Sequence, residues 1–222
     1  MSGEVMDNKE LQLLIEEGEG FQLEFKRKVS TPEKIARALI GFANTKGGTI
    51  LFGVDDDKTI VGVESEKSEM EMIQTAGRVY CDPPIEPDVE ILSYRGMDII
   101  AVMVEESSQK PHSLVDDSDT DEDPENKVLI RVKDKTVIAS KEVVKILQAE
   151  SPESAPLRIS IGETERSVLE YLDKNERITV KQFGKIANIS DRRASRILIQ
   201  LVRAGVLRIH THEKEDFYTL AY

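Results

Sequence analysis

The sequence predicts an α+β protein of two domains: a mixed α/β domain, then a smaller domain of helices and one β-hairpin. Its 222 residues exceed the roughly 100–150 of a typical single domain. Up to residue 150, segments whose apolar residues have the spacing of a strand are mixed with segments that have the spacing of a helix. From residue 161 onward, the first segments all have the spacing of a helix. Residues 151–156 contain two prolines and two serines, and we predict a linker at residues 151–160. We therefore expect domains at residues 1–150 and 161–222.

The elements of the first domain are predicted from apolar spacing and from turn residues. Apolar residues at helical spacing, starting at Leu11, indicate a short helix that stops at Gly18. Thr31 and Pro32 begin a longer helix, because Thr caps free amides and Pro fits the first helical position. The other predicted elements are strands at residues 21–26, 49–54, 59–63, 89–93, 98–104, 128–132 and 136–139, and a helix at residues 140–150 that Ser140 caps.

The second domain has the pattern of a winged helix-turn-helix. We expect Thr164 to cap its first helix, and Thr179 with Gln182 forms a capping box for a short second helix. A tight connection leads to a third helix, from Asp191 to Ala204, that Gly205 ends. Two short helices joined by such a turn are typical of DNA-binding proteins. Residues 206–209 and 217–220 then predict a hairpin wing with an acidic tip.

The third helix carries the clearest functional signal. At about 100° per residue, four apolar residues share one face and are predicted to be core: Ala194, Ile197, Leu198 and Leu201. The opposite face and the helix start present the residues predicted to contact DNA, which are Ser190, Arg192, Arg193, Arg196, Gln200 and Arg203. Arginine binds guanine edges or phosphates and glutamine suits adenine, so this face predicts contact with duplex DNA.

Charge is distributed unevenly along the chain. The whole sequence has a formal net charge of −12, which by itself argues against a polyanionic partner. However, residues 1–150 hold 18 Lys and Arg against 32 Asp and Glu, whereas residues 151–222 hold 12 against 10. The basic side chains therefore accumulate where DNA contact is predicted. Their small excess favours binding as a homodimer, which doubles the contacts.

Composition excludes several other classes of protein. No apolar run approaches the roughly 20 residues of a membrane-spanning helix, and the polar N-terminus lacks a signal-peptide core, so a cytoplasmic protein is expected. Cys81 is the only cysteine, which excludes an intrachain disulfide and predicts a packing role. ATP is not expected, because no phosphate-binding glycine loop precedes a helix. His210 and His212 lack a third zinc ligand.

An acidic segment interrupts the first domain. Residues 116–125 hold seven acidic side chains among ten and predict a solvated loop. The alternation of Asp117, Asp119 and Asp121 is one feature of a calcium-binding loop. However, the sixth position is Glu122 instead of Gly, and the twelfth is Val128 instead of Glu. A solvated loop is therefore predicted in preference to a calcium site.

Four segments of the first domain resemble the Schlafen AlbA_2 family. Residues 19–26 and 42–57 are similar to its two signature segments. Residues 110–112 are similar to its Lys-Pro-aromatic turn, and residues 128–132 to its aliphatic-Ile-Arg strand. The resemblance covers about residues 11–150. It implies a nucleic-acid-binding α/β domain of the kind often fused to a winged helix in bacterial transcriptional regulators.

The sequence departs from the family pattern at two places. Where the family usually has Gly-Ser-Ser-Thr, this chain has Lys133, Asp134, Lys135 and Thr136, so an amide nest for phosphate is not expected there. The acidic segment before the Ile-Arg strand is also atypical, and its charge would repel a phosphate backbone.

The resemblance also implies a catalytic alternative, because some Schlafen proteins are endoribonucleases. The matching carboxylates are Glu19, Glu24 and Asp55, which would hold Mg²⁺ or Mn²⁺, while Lys26 would neutralise phosphate. Glu24 and Lys26 also alternate with apolar residues, as the exposed side of an amphipathic strand does. Three functions remain open. The main prediction is a DNA-binding transcriptional regulator without a cofactor; the alternatives are a metal-dependent nuclease acting on RNA and a protein-interaction module.

Overall fold

A computed structural model describes residues 6–115, 127–150, 161–212 and 215–221 of the protein. The chain divides into two compact units, Met1–Ile138 and Ala139–Tyr222, each with its own apolar core. The predicted linker and the predicted acidic loop at residues 116–125 lie outside the described residues. Within the described part, no helix has both the length and the apolar character needed to cross a bilayer.

The first unit contains a four-stranded mixed sheet, and two short antiparallel strand pairs accompany it. In chain order its elements are α1 (Asn8–Glu17), β1 (Leu23–Lys26), α2 (Pro32–Ala43), β2 (Gly48–Phe52), α3 (Glu66–Val79), β3 (Cys81–Asp82), β4 (Asp88–Tyr94), β5 (Met97–Val104), β6 (Ser113–Leu114), β7 (Leu129–Val132) and β8 (Lys135–Ile138). The sheet order is β1-β2-β5-β4, with β1 parallel to β2 and β5 antiparallel to both its neighbours. β3 pairs with β6, and β7 pairs with β8.

The sheet of the first unit has apolar clusters on both faces, because the side chains of its central strands alternate. Ile50 and Phe52 of β2 pack in one cluster with residues of α2 and α3. Leu51, between them, packs in the other cluster with Leu11 and Ile15 of α1. The mixed α/β architecture predicted for this domain is confirmed.

Parts of the first unit differ from the sequence prediction. The predicted strand at residues 59–63 is wrong, because only the single bridge between Val54 and Ile60 forms there. α3, β3 and β6 were not predicted. α3 combines charged residues with only a few buried apolar ones, including Ile73 and Ala76, so its helical spacing is weak in the sequence.

The second unit contains α4 (Lys141–Glu150), α5 (Glu163–Leu172), α6 (Val180–Ile186), α7 (Asp191–Arg203), β9 (Leu207–His210) and β10 (Phe217–Leu220). β9 and β10 form an antiparallel hairpin. α4 packs against α7, so this helix groups with the second unit instead of the first, where the sequence prediction placed it. The rest of the predicted domain division stays a prediction.

The starts of the helices of the second unit are defined by hydrogen bonds at their first turns. Ser140 caps α4 as predicted, since its Oγ accepts the amide of Val143 at 3.2 Å. The predicted capping box of Thr179 and Gln182 forms at α6. The prediction for Thr164 is wrong: α5 begins two residues earlier, because the Glu165 carboxylate accepts the Gly162 amide at 2.9 Å.

Candidate nucleic-acid interface

α7 separates an apolar face from a basic one. The four residues predicted to face the core, Ala194, Ile197, Leu198 and Leu201, are buried in the apolar cluster of the second unit. Ser190 caps the helix, and its Oγ accepts the amide of Arg193 at 3.4 Å. The buried face and the cap hold α7 in one orientation, so its arginine side chains project from the opposite face.

The six residues predicted to contact DNA line a single groove of about 620 Å³. They are Ser190, Arg192, Arg193, Arg196, Gln200 and Arg203. Arg203 is half-buried and the other five are exposed. In the described part of the chain, no carboxylate pairs with Arg192, Arg193 or Arg196. These three guanidinium groups are therefore available to an anion.

The groove has a second wall that the sequence prediction missed. Lys145 of α4 also lines it, as does Ile199 of α7. Ile199 belongs to the outward arc of α7, yet it is only 7% exposed. Ser195, one turn earlier on the same side, donates a hydrogen bond from its Oγ to Glu142 of α4 at 2.7 Å. α4 therefore packs on the flank of α7 that Ser195 and Ile199 occupy.

The electrostatics of the groove favour an anion. Four arginines and Lys145 line it, and no Asp or Glu does among the residues that the structure describes. Lys145 is exposed and has no acidic partner among the residues that the structure describes. A concave surface lined by one sign of charge concentrates ligands of the opposite sign.

The carboxylates of the nuclease alternative are each held by a different partner. Glu24 is bound by two cations, Lys26 at 2.5 Å and the buried guanidinium of Arg131. Asp55 forms an ion pair with Arg27. The predicted phosphate-neutralising residue, Lys26, is thus a partner of Glu24.

Glu19 completes the predicted carboxylate set, and its Oε1 accepts the amide of Phe25 at 2.9 Å. Nowhere in the described ranges do three Asp, Glu, His or Cys side chains form a group suited to a metal ion. Two cations already neutralise the carboxylate of Glu24, which a metal would need as a ligand. The predicted set therefore does not fit a divalent cation in this arrangement, and no hydrolysis of RNA follows from it.

Asn44 ties together three of the segments that resemble the Schlafen family. It is 2% exposed and its side-chain amide donates to the carbonyls of His112 and Leu129, both at 2.8 Å. Its Oδ1 accepts the amide of His112 at 2.8 Å. With the pair of Glu24 and Arg131, all four segments are linked by buried polar contacts, so these residues act in the architecture of the unit.

The remaining candidate side chains are also engaged in packing. Cys81 is buried, and burial raises the pKa of its thiol to about 12, which agrees with the predicted packing role. His210 stacks on Phe217 with 4.8 Å between ring centroids, and its Nε2 lies 3.0 Å from Thr219 Oγ1.

Together, the fold and the groove define a two-unit α+β protein with a cationic surface on its second unit. The Schlafen, AlbA_2 family model matches residues 19–140, more than half of the chain, and the protein belongs to this family. Membership indicates a role related to nucleic acid. No curated protein matches the sequence.

Two solved structures are similar over part of the chain. The crystal structure of the DIP2311 protein from Corynebacterium diphtheriae has 18% sequence identity and a TM-score of 0.44. The match covers 69% of this chain and 32% of that protein, so this chain spans about a third of its length. The solution structure of the N-terminal domain of a protein described as related to the ATP-dependent DNA helicase RecG, from Nitrosomonas europaea, has 18% identity and a TM-score of 0.41. That match covers 68% of this chain and 93% of the domain.

Proposed function

We propose that the protein is a DNA-binding transcriptional regulator that contacts duplex DNA through α7. The observation that carries this proposal is the groove, whose described lining includes four arginines, a lysine and a glutamine but no carboxylate. Three helices followed by a hairpin, in the order α5, α6, α7, β9 and β10, also fit a winged helix-turn-helix. In helix-turn-helix proteins the helix that occupies the place of α7 enters the major groove.

The dimensions of α7 suit a short stretch of duplex. Arg192 and Arg203 are eleven positions apart, which at about 1.5 Å per residue corresponds to roughly 16 Å along the helix. A recognition helix that lies in the major groove can place such side chains against both the base edges and the phosphates of a short stretch of duplex. Their guanidinium forks bind phosphates or guanine edges, and Gln200 can pair with adenine.

We also propose that the protein binds DNA as a homodimer. Residues 151–222 have a formal excess of only two positive charges, 12 basic against 10 acidic. Two copies double the number of phosphate contacts, and their symmetry would match a palindromic site. Sedimentation of the protein alone and with duplex tests this stoichiometry.

The experiment that tests DNA binding compares two double variants that remove the same charge. Arg192→Ala with Arg196→Ala removes two exposed arginines from the groove. Arg166→Ala with Lys174→Ala removes two exposed cations that do not line it. Affinity for short duplexes is measured by fluorescence anisotropy over a range of salt concentrations. Each lost phosphate contact lowers the slope of log K against log salt by about 0.9, so we expect a decrease of roughly 1.8 for the groove variant.

The matched control should keep the affinity and the salt slope of the wild type. Equal effects of the two double variants would show that only overall charge matters, and the α7 interface would be wrong. A wild type that fails to bind duplex DNA would remove the regulator proposal. A protein partner that survives both the arginine changes and high salt would then indicate an interaction module.

A further inference from the structure

α4 covers one flank of the helix that is proposed to meet DNA. With about 100° per residue, Arg192 and Arg203 project only about 20–40° from the direction of Ile199. Gln200 and Arg193 project about 100–120° from it, on the side of α7 farther from α4. Arg196 projects about 60° from it, between these two pairs, so the groove residues of α7 differ in their distance from α4.

The presence of α4 limits how α7 can approach a duplex. A helix with its side chains is about 10–12 Å across, and packed helices lie about 8–10 Å apart, so the pair is roughly 20 Å wide. The major groove of B-DNA is about 12 Å wide and admits one helix. With α4 docked, α7 can enter only by the side that carries Arg193 and Gln200. α4 must then meet the sugar-phosphate backbone at the edge of the groove.

We infer that Lys145 of α4, with Arg192 and Arg203 of α7, binds the phosphate backbone of one DNA strand, which leaves Arg193 and Gln200 to read base edges. This inference rests on the proposed function and adds a binding residue outside the helix-turn-helix. Lys145 is suited to the role because it is exposed and lines the same groove as the arginines. An ammonium group binds phosphate as a point charge without regard to base sequence.

The test uses the protein of 222 residues and three short duplexes, one rich in A·T, one rich in G·C and one of mixed composition. Lys145→Ala is compared with Lys145→Arg, which keeps the charge, and with Lys174→Ala, which removes an exposed lysine outside the groove. One lost phosphate contact should weaken binding roughly fivefold near 0.15 M salt and lower the salt slope by about 0.9. We expect this loss to be the same for all three duplexes.

The results separate this inference from the proposed function. Lys145→Arg and Lys174→Ala should bind like the wild type, and Gln200→Ala should change the ranking of the duplexes with little change in salt slope. An unchanged affinity for Lys145→Ala, or a loss confined to one duplex, overturns the inference. If the Arg192 and Arg196 variant still loses affinity in that case, the proposed function stands. Failure of the wild type to bind any duplex overturns both.

Discussion

Arg131 and Glu24 form a buried ion pair that joins β7 to β1, although 107 positions separate them in the chain. The guanidinium group of Arg131 lies 4.6 Å from the ring centroid of Phe42 and donates to the carbonyl of Gly20 at 2.8 Å. Glu24 is one of the carboxylates that the family resemblance proposes as a metal ligand. In this protein its position is explained by its structural partner.

We expect Arg131→Met to lower the free energy of unfolding by about 3 kcal/mol, because it removes the buried partner of the Glu24 carboxylate, which then keeps only the more exposed Lys26. Urea unfolding measures the change. Arg27→Met, which breaks the more exposed pair with Asp55, is the control and should cost less than about 1 kcal/mol. The double variant Glu24→Gln with Arg131→Met should recover part of the loss. Similar small effects for Arg131→Met and Arg27→Met would contradict the structural role.

We expect the first unit to lose stability as the pH falls below about 6.5. Burial lowers the pKa of His112 from its ordinary value of 6.5, because the charged ring loses its hydration there. The hydrogen bond between Nδ1 and the Pro83 carbonyl, at 2.7 Å, acts in the opposite direction and offsets only part of this effect. Between the lowered folded-state pKa and 6.5 the unfolded chain binds more protons, so acidification favours unfolding.

The measurement for His112 is urea unfolding at about pH 7.5, 6.5 and 5.5, compared between the wild type and His112→Gln. The variant is less stable throughout, but its stability should depend less on pH across this range. Equal pH dependence of the two proteins would show that His112 is not the group that titrates.

Gly77 should not tolerate a side chain, although it lies inside α3. A Cβ atom there would be 2.1 Å from the carbonyl oxygen of Ile85, which belongs to the backbone and cannot rotate away. Gly77→Ala is therefore expected to cost about 1–3 kcal/mol despite the higher helix propensity of alanine. Thermal unfolding tests this against Gly20→Ala, where no atom lies within 4 Å and a change within about 0.5 kcal/mol is expected.

Tyr218→Phe should leave the second unit as stable as before or up to about 1 kcal/mol more stable. Tyr218 is fully buried, and its hydroxyl has no hydrogen-bond partner within the part of the chain that the structure describes. Burial also raises the pKa of this hydroxyl. Tyr218→Ala, which removes the ring as well, should cost about 3–5 kcal/mol. A loss above about 1 kcal/mol for Tyr218→Phe in urea unfolding would reveal a partner in solution.

Elements that depend on neighbouring residues could be predicted from the sequence. The hairpin of β4 and β5 turns at Arg95 and Gly96, whose φ angles of 51° and 80° belong to a two-residue loop, and the turn was predicted at that place. α7 was predicted with its inward and outward faces because its apolar spacing is regular.

Features that depend on distant residues could not be predicted in this way. β3 and β6 hold two residues each and pair across about thirty positions, which leaves no local pattern. The spacing of Glu19, Glu24 and Asp55 gave no sign that Arg131 neutralises one of them. Lys145 was missed for the same reason, since α4 was predicted correctly while its packing on α7 was not.

The docking of α4 on α7 also decides where the chain can be divided. A fragment that starts at Ile161, after the predicted linker, would leave α4 behind and expose Ile199 to water beside the arginines. Such a fragment would expose an apolar side chain that favours aggregation, and it would also lack Lys145. Its affinity for DNA would therefore differ from that of the 222-residue chain. A fragment that starts at Ala139 retains both.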